Sequence, residues 1–164
     1  MITGSIRQVL RRRWLAAGVA AISAVLVFHT RFRLTIVDGE SMLPTLKPGE
    51  LLLVDRWAYR DREPHRDDIV VARYAAGLIV KRIVGLPGEE LELKSGRLYI
   101  NGAPYPENRG IKEGRLDVGK GKLREGDFAT LGDNRSVSPV MAIHPIISKP
   151  DILGRVVFSS RRRM

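Results

Sequence analysis

The 164-residue chain contains no cysteine, which excludes disulfides, thiolate catalysis and Cys-ligated metal. The lack says little about compartment, since an exported domain can simply avoid thiols. Histidine is scarce as well: His29 closes an apolar stretch, His65 lies in a charged loop, and His144 lies between Ile143 and Pro145. Each reads as a polar surface or interface residue, not as a catalyst or ligand. No zinc-finger or recognition-helix pattern is present, so nothing supports a nucleic-acid partner. Beyond Arg33 no stretch holds a helical period for three turns, which argues against a helical body. There is no internal repeat and no low-complexity segment.

What is abundant is positive charge, a formal net +10, and its location decides its meaning. Arg7, Arg11, Arg12, Arg13, Arg31 and Arg33 flank an apolar run, and Arg161, Arg162 and Arg163 form a tail, so residues 34–160 carry a net charge of only +1. Basic clusters placed beside an apolar segment match anionic lipid head groups better than a nucleic-acid face. The run itself, residues 14–30, has no formally charged residue over 17 positions. At 1.5 Å per residue such a helix covers roughly 25 Å, so flanking arginines must snorkel to complete a crossing. A removable export signal is the rival reading, but Phe28-His29-Thr30-Arg31 makes a poor cleavage site. The expectation is an uncleaved anchor over 1–33 and a separate domain over 34–164. Four arginines before the span against two after it put the N-terminus in the cytoplasm and the domain outside the cell membrane.

Residues 34–164 read as all-β: short runs of β-branched and large aliphatic residues punctuated by Gly, Pro and Asp. The expected fold is a compact antiparallel sheet or partly closed barrel behind the N-terminal transmembrane helix. Candidate strands are 34–37, 50–55, 68–74, 78–85, 89–94, 97–101, 127–131 and 152–158. Residues 92–99 form a hairpin candidate turning at Ser95-Gly96. Residues 108–122, rich in Gly and charge, are expected to be a mobile loop or a small excursion.

Two stretches can carry chemistry. Gly39-Glu40-Ser41-Met42-Leu43-Pro44-Thr45-Leu46 joins two apolar runs and can present the Ser41 hydroxyl at a rigid junction, although a plain turn would read the same way. A serine nucleophile needs a base. In Leu78-Ile79-Val80-Lys81-Arg82-Ile83-Val84, alternation puts Ile79, Lys81 and Ile83 on one face, so the Lys81 ammonium is flanked by aliphatic side chains. Desolvation lowers a lysine pKa towards the range a general base needs, whereas a lysine snorkelling from a strand edge would be inert.

Taken together, four segments in one order resemble the type I signal peptidases, the membrane-bound serine proteases that remove export signals. The octapeptide around Ser41 resembles their nucleophile motif. Glu63-Pro64-His65-Arg66-Asp67-Asp68-Ile69-Val70-Val71 resembles their Pro-rich turn into a buried strand, with Asp67 where a glycine is usual. Val80-Lys81-Arg82-Ile83-Val84-Gly85-Leu86-Pro87-Gly88-Glu89 is similar to their general-base segment almost residue for residue. Leu131-Gly132-Asp133-Asn134-Arg135, with Ser138 four residues past the Asn, resembles their last motif. The resemblance implies Ser41 as nucleophile, Lys81 as general base, and Ser138 as the hydroxyl that orients the lysine, with Ser136 the alternative. It makes the Ser41 backbone N–H the oxyanion donor and leaves Gly39 where some relatives place a helping hydroxyl. It assigns Val37, Leu46 and Val80 to shallow apolar pockets for small substrate residues. Met42 is read as an apolar plug or a lipid-facing contact, and Asp133, Asn134 and Arg135 as scaffold near the site.

The implied activity is cleavage of exported preproteins after Ala-x-Ala-type sites, with no metal and no organic cofactor. Two rivals stand beside it: a specialised member maturing pilin or conjugation proteins, and a noncatalytic membrane-anchored assembly factor. The chain departs from the pattern after Ser138, where Pro139-Val140-Met141-Ala142 replaces a charged run.

Overall fold

The structure, a computed structural model, describes residues 3–75, 77–107, 111, 114–115, 117–136 and 146–161, with the side chains of the first helix described from Arg12 onward. Helix α1 covers Thr3–Arg31. Its stretch Arg12–Arg31 is long and apolar enough to cross a membrane, and none of it is buried against the rest of the chain. A helix that is apolar on all sides and unpacked on protein needs a nonaqueous partner. The chain passes directly into strand β1, Phe32–Ile36. Arg31 Nη2 grips Asp55 Oδ2 at 2.8 Å, and Arg56 N–H donates to Arg31 O at 2.8 Å, so the helix end is tied to the sheet.

The remaining strands are β2 (Leu51–Asp55), β3 (Ile69–Tyr74), β4 (Gly77–Gly85), β5 (Glu90–Lys94), β6 (Arg97–Ile100), β7 (Ala103–Pro104), β8 (Val118–Lys122), β9 (Asp127–Leu131), β10 (Ile146–Ser148) and β11 (Ile152–Ser159). Among the described residues they form two sheets, one ordered β1-β2-β11-β3-β4-β9-β10 and one ordered β7-β6-β5-β8. Every pairing is antiparallel. The all-β expectation holds, and the large sheet stays open, with β1 and β10 as its edges.

Three apolar clusters pack this arrangement. Val37, Met42, Leu46, Leu52, Val54, Ile69, Val71 and Val156 lie beneath the loop that follows β1. Val70, Ala72, Ile83, Phe128 and Ile147 fill a second cluster within the large sheet. Val84, Ala129 and Leu131 of the large sheet meet Leu93 and Leu98 of the small one, which fastens the two sheets together. Full burial of each such aliphatic side chain contributes about 1.5–3 kcal/mol.

The β5–β6 hairpin turns at Ser95-Gly96 with φ of 47° and 76°, the positive pair of a two-residue type I′ turn. The same geometry recurs at Asn101-Gly102, φ 51° and 80°, between β6 and β7. That Asn-Gly pair is a strong hairpin signal, and it ends the strand at Ile100, one residue short of the expected 97–101. Part of the expected loop 108–122 is strand β8, exposed along its whole length and paired with β5. Val-Gly-Lys-Gly-Lys has no strand propensity of its own, so the partner edge imposes its conformation. Its lysines suit an outer edge.

Candidate active site

Ser41 lies in the loop between β1 and β2, and the loop is held from three directions. From its base, Val37 N–H donates to Glu50 O at 2.9 Å and Gly49 N–H donates to Val37 O at 2.9 Å, closing the loop like a hairpin. From below, Met42 and Leu46 are fully buried in the apolar cluster, so the chain on either side of them cannot lift. From the side, the segment after β9 reaches across. Asn134 N–H donates to Ser41 O at 2.9 Å, and Asn134 Nδ2 donates to Glu40 O at 3.0 Å.

The second of these bonds fixes the Glu40–Ser41 peptide plane. In a trans peptide the N–H points opposite to the C=O, so Asn134 also sets the direction of the Ser41 N–H. Gly132 is required by the same approach: a Cβ there would lie 2.4 Å from Ser41 O, inside any tolerable contact. Gly39 has φ of 93° and lets the chain turn into the loop.

Lys81 is on β4, where β9 stops. The last β4–β9 pair is Arg82 with Leu131, whereas β3 continues alongside β4 to Gly77. Among the described residues, the β9-side edge of β4 from Gly77 to Lys81 has no strand neighbour. Lys81 is only 7% exposed. It is paired in register with Val70, and Ile79 and Ile83 belong to the same buried cluster. Desolvation holds the Lys81 pKa below its ordinary value, and the nearby Asp133 carboxylate partly offsets this. A lysine in that setting is closer to proton-accepting at neutral pH than a free one.

Asp133 is held elsewhere. Arg82 Nε donates to its Oδ1 at 2.9 Å, Arg82 Nη2 to its Oδ2 at 2.6 Å, and Thr45 Oγ1 to its Oδ2 at 2.5 Å. One carboxylate therefore ties the serine loop to the lysine strand. Arg135 reaches the other way, to the Glu107 carboxylate and to Gly96 O, and locks the same segment onto the small sheet.

Between the loop and the open half of β4 runs a groove of about 370 Å³, lined by Thr35, Ile36, Val37, Asp38, Gly39, Glu40, Ser41, Met42, Val71, Tyr74, Leu78, Ile79, Val80 and Lys81. It brings together Ser41 and Lys81 with Val37, Gly39, Met42 and Val80 of the expected substrate contacts. Leu46 does not line it and supports the loop from the core. Met42, 1% exposed, is a plug and not a lipid contact. Asp133, Asn134 and Arg135 are buried beside the site. Ser138 and the run 139–142 lie outside the described residues. Ser136 is described, and its Oγ donates to Asn134 Oδ1 at 2.6 Å.

Sequence reasoning missed Tyr74 and Leu78, which line the groove near the tip of the β3–β4 hairpin. Two large apolar residues flanking a turn were the available signal. It missed the Thr45–Asp133–Arg82 tie altogether, because 88 residues separate the first two. Asp67, standing where a glycine is usual, has φ of 77°, a conformation that favours glycine. It is held there by Arg82 Nη1 donating to its carbonyl at 2.9 Å and by Tyr105 Oη donating to its carboxylate at 3.1 Å.

Comparison with known proteins places the chain in a family. The family described as signal peptidase, peptidase S26, matches residues 10–160. A signal peptidase I of Leptolyngbya laminosa is 34% identical over 131 residues, 74% of this chain and 64% of that protein. A signal peptidase I of Bacillus caldolyticus is 33% identical over 165 residues, 90% of this chain and 88% of the relative. Signal peptidase I T of Bacillus subtilis is 36% identical over 129 residues, 71% of this chain and 67% of its own length. A crystal structure of a signal peptidase I from Enterococcus faecalis, 24% identical, overlaps 57% of this chain and 97% of that one with a TM-score of 0.46.

Proposed function

Because the chain belongs to the signal peptidase family, peptidase S26, we propose that it is a membrane-anchored serine endopeptidase that removes signal peptides from exported preproteins. Residues 1–33 are the anchor and 34–164 the peptidase domain, on the external side of the cell membrane. The observation that carries the reading is the shared groove of Ser41 and a buried Lys81 whose pKa burial lowers. A hydroxyl and an amine biased towards its neutral form, lining one cleft, are what the serine-lysine variant of the nucleophile-base pair requires.

In this mechanism neutral Lys81 takes the Ser41 Oγ proton as the oxygen attacks the scissile carbonyl. The Ser41 N–H, aimed by the Asn134 clamp, stabilises the oxyanion. Lys81 then gives the proton to the leaving amine, and a water activated by the same amine hydrolyses the acyl-enzyme. Ser138 orients the lysine; the Ser136 hydroxyl proton is already committed to Asn134.

Substrate binds extended along the open edge of β4 at residues 77–81, its backbone supplying the missing ladder partner. Val37 and Val80 border shallow pockets that suit small residues, as in an Ala-x-Ala site, and Met42 closes the floor. The test is cleavage of an Ala-x-Ala peptide by the purified full chain in detergent, with and without EDTA. Cleavage that persists with the chelator and vanishes in Ser41→Ala supports the proposal. Undiminished cleavage by Ser41→Ala, or loss with EDTA, overturns it.

A further inference from the structure

The groove does not close at Leu78. A second concavity, of about 160 Å³, shares Thr35, Val71 and Leu78 with it and continues it away from Ser41. Three of its walls are arginines: Arg33 on β1, Arg56 one residue past β2, and Arg73 on β3. Val54 and Leu153 line it as well, and no carboxylate does. Gathering three guanidinium groups around one hollow costs free energy unless an anion compensates them. Among the described residues, no carboxylate pairs with Arg33, Arg56 or Arg73. Asp55, next to Arg56 in sequence, is taken up by Arg31. Among the described residues, the side chains of Arg33 and Arg73 form no hydrogen bond or ion pair. The Arg56 guanidinium makes only a long 3.4 Å bond to Thr30 O.

Guanidinium groups are matched in shape and charge to phosphate oxygens, which they bind bidentately. The position of the hollow points to where the phosphate comes from. Arg33 lies two residues beyond the last turn of α1, and Arg56 touches that turn through Thr30. Around the same helix end, Phe28 and Phe32 have ring centroids 5.1 Å apart, and Arg60 stacks on Trp57 at 4.0 Å. Aromatics and arginines at the end of an apolar span mark the depth of lipid head groups.

We propose that Arg33, Arg56 and Arg73 cradle the phosphate of an anionic phospholipid at the membrane-proximal end of the groove. The bound head group sets the height of the groove over the bilayer, so that a peptide leaving the membrane meets it directly. The proposal deepens the reading of α1 as a membrane anchor and rests on it, but not on turnover.

The test uses the full chain in nonionic detergent and phosphate-free buffer, titrated with phosphatidylglycerol and read by native mass spectrometry. The parent is expected to retain one lipid. Each single change, Arg33→Gln, Arg56→Gln or Arg73→Gln, weakens retention about fivefold, and the triple variant about a hundredfold. A triple control on the small-sheet side, Arg97→Gln with Lys120→Gln and Arg124→Gln, removes the same charge and leaves retention near that of the parent. Equal retention by the parent and the cradle variant overturns the proposal. Displacement of the lipid by equimolar inorganic phosphate makes free phosphate the ligand and overturns the lipid assignment. If the cradle variant retains lipid but has a raised KM only for peptides bearing a carboxylate, an acidic peptide is the occupant and the proposal falls. Running the series in Ser41→Ala separates it from peptidase activity, and flotation of the chain with liposomes tests the anchor by itself.

Discussion

The two halves of β4 make opposite use of the same kind of residue. At Arg82 the strand has β3 on one side and β9 on the other, the β9 pairing runs on to Gly85, and the Arg82 guanidinium is clamped by both oxygens of Asp133. From Gly77 to Lys81 it has β3 alone on one side and the groove on the other, and its cation lines that groove together with Ser41. The two side chains are buried alike, 7% exposed for Lys81 and 6% for Arg82. Burial alone therefore does not decide which buried cation is pushed towards its neutral form. The placement of the counter-charge does. Asp133 is committed to Arg82 and Thr45, so for Lys81 desolvation outweighs its attraction, and the lysine is pushed towards its neutral form. Arginine could not respond to the same setting, since it stays protonated in proteins.

The largest effect expected from this contrast is at Lys81. Lys81→Arg keeps the positive charge but cannot accept a proton, so peptide cleavage should drop at least about a thousandfold, as for loss of a catalytic base. Substantial activity in that variant would show that the two cations are interchangeable after all. On the other half, Arg82→Met strands the buried Asp133 charge and should cost about 3–5 kcal/mol of stability, measured by urea denaturation. A variant as stable as the parent would mean that the clamp is not structural.

The serine beyond the clamp comes next. Ser138→Ala should slow cleavage about 10- to 100-fold through a misoriented Lys81, while Ser136→Ala stays near the parent rate. A reversed pair of rates transfers the orienting role to Ser136.

The pH dependence follows from the direction of the Lys81 shift. Its folded pKa is below the ordinary 10.5, so the folded protein releases this proton before the unfolded chain does. The rate should rise with pH through the folded pKa. Stability from this group is lowest below the folded pKa, rises between the folded and unfolded values, and is level above about 10.5. Lys81→Met should accordingly melt higher than the parent at neutral pH, with the gap narrowing at alkaline pH. A gap independent of pH would place the gain in packing and not in desolvation.

The smallest effect is at Asp67, whose carbonyl accepts from Arg82. Relief of its positive φ by Asp67→Gly gains about 1 kcal/mol, and loss of the Tyr105 bond costs about the same. The melting temperature should hardly move. Asp67→Ala keeps the strain and loses the bond, so it should melt lower.

Local pattern made much of this legible. The charge-free run from Trp14 to Thr30 is helix because nothing in it breaks a helix, and the alternation that puts Ile79, Lys81 and Ile83 on one face matches the one cluster that holds both isoleucines. The hairpin at Ser95-Gly96 was written in its turn residues. Where local signal was weak, legibility ended: β8 is strand only because β5 offers an edge, and Leu46, expected beside the substrate, is instead part of the core under the loop.

By itself the sequence determined which residues can react, the order of the strands along the chain and the place of the apolar helix, because these depend on side-chain chemistry and on periods of two and 3.6 residues. Only the tertiary structure decided which carboxylate neutralises which cation, where β9 ends and opens the edge of β4, and that Arg33, Arg56 and Arg73 converge on one hollow. Those outcomes depend on contacts between residues far apart in the chain, and no local preference specifies them before the sheet has closed around them.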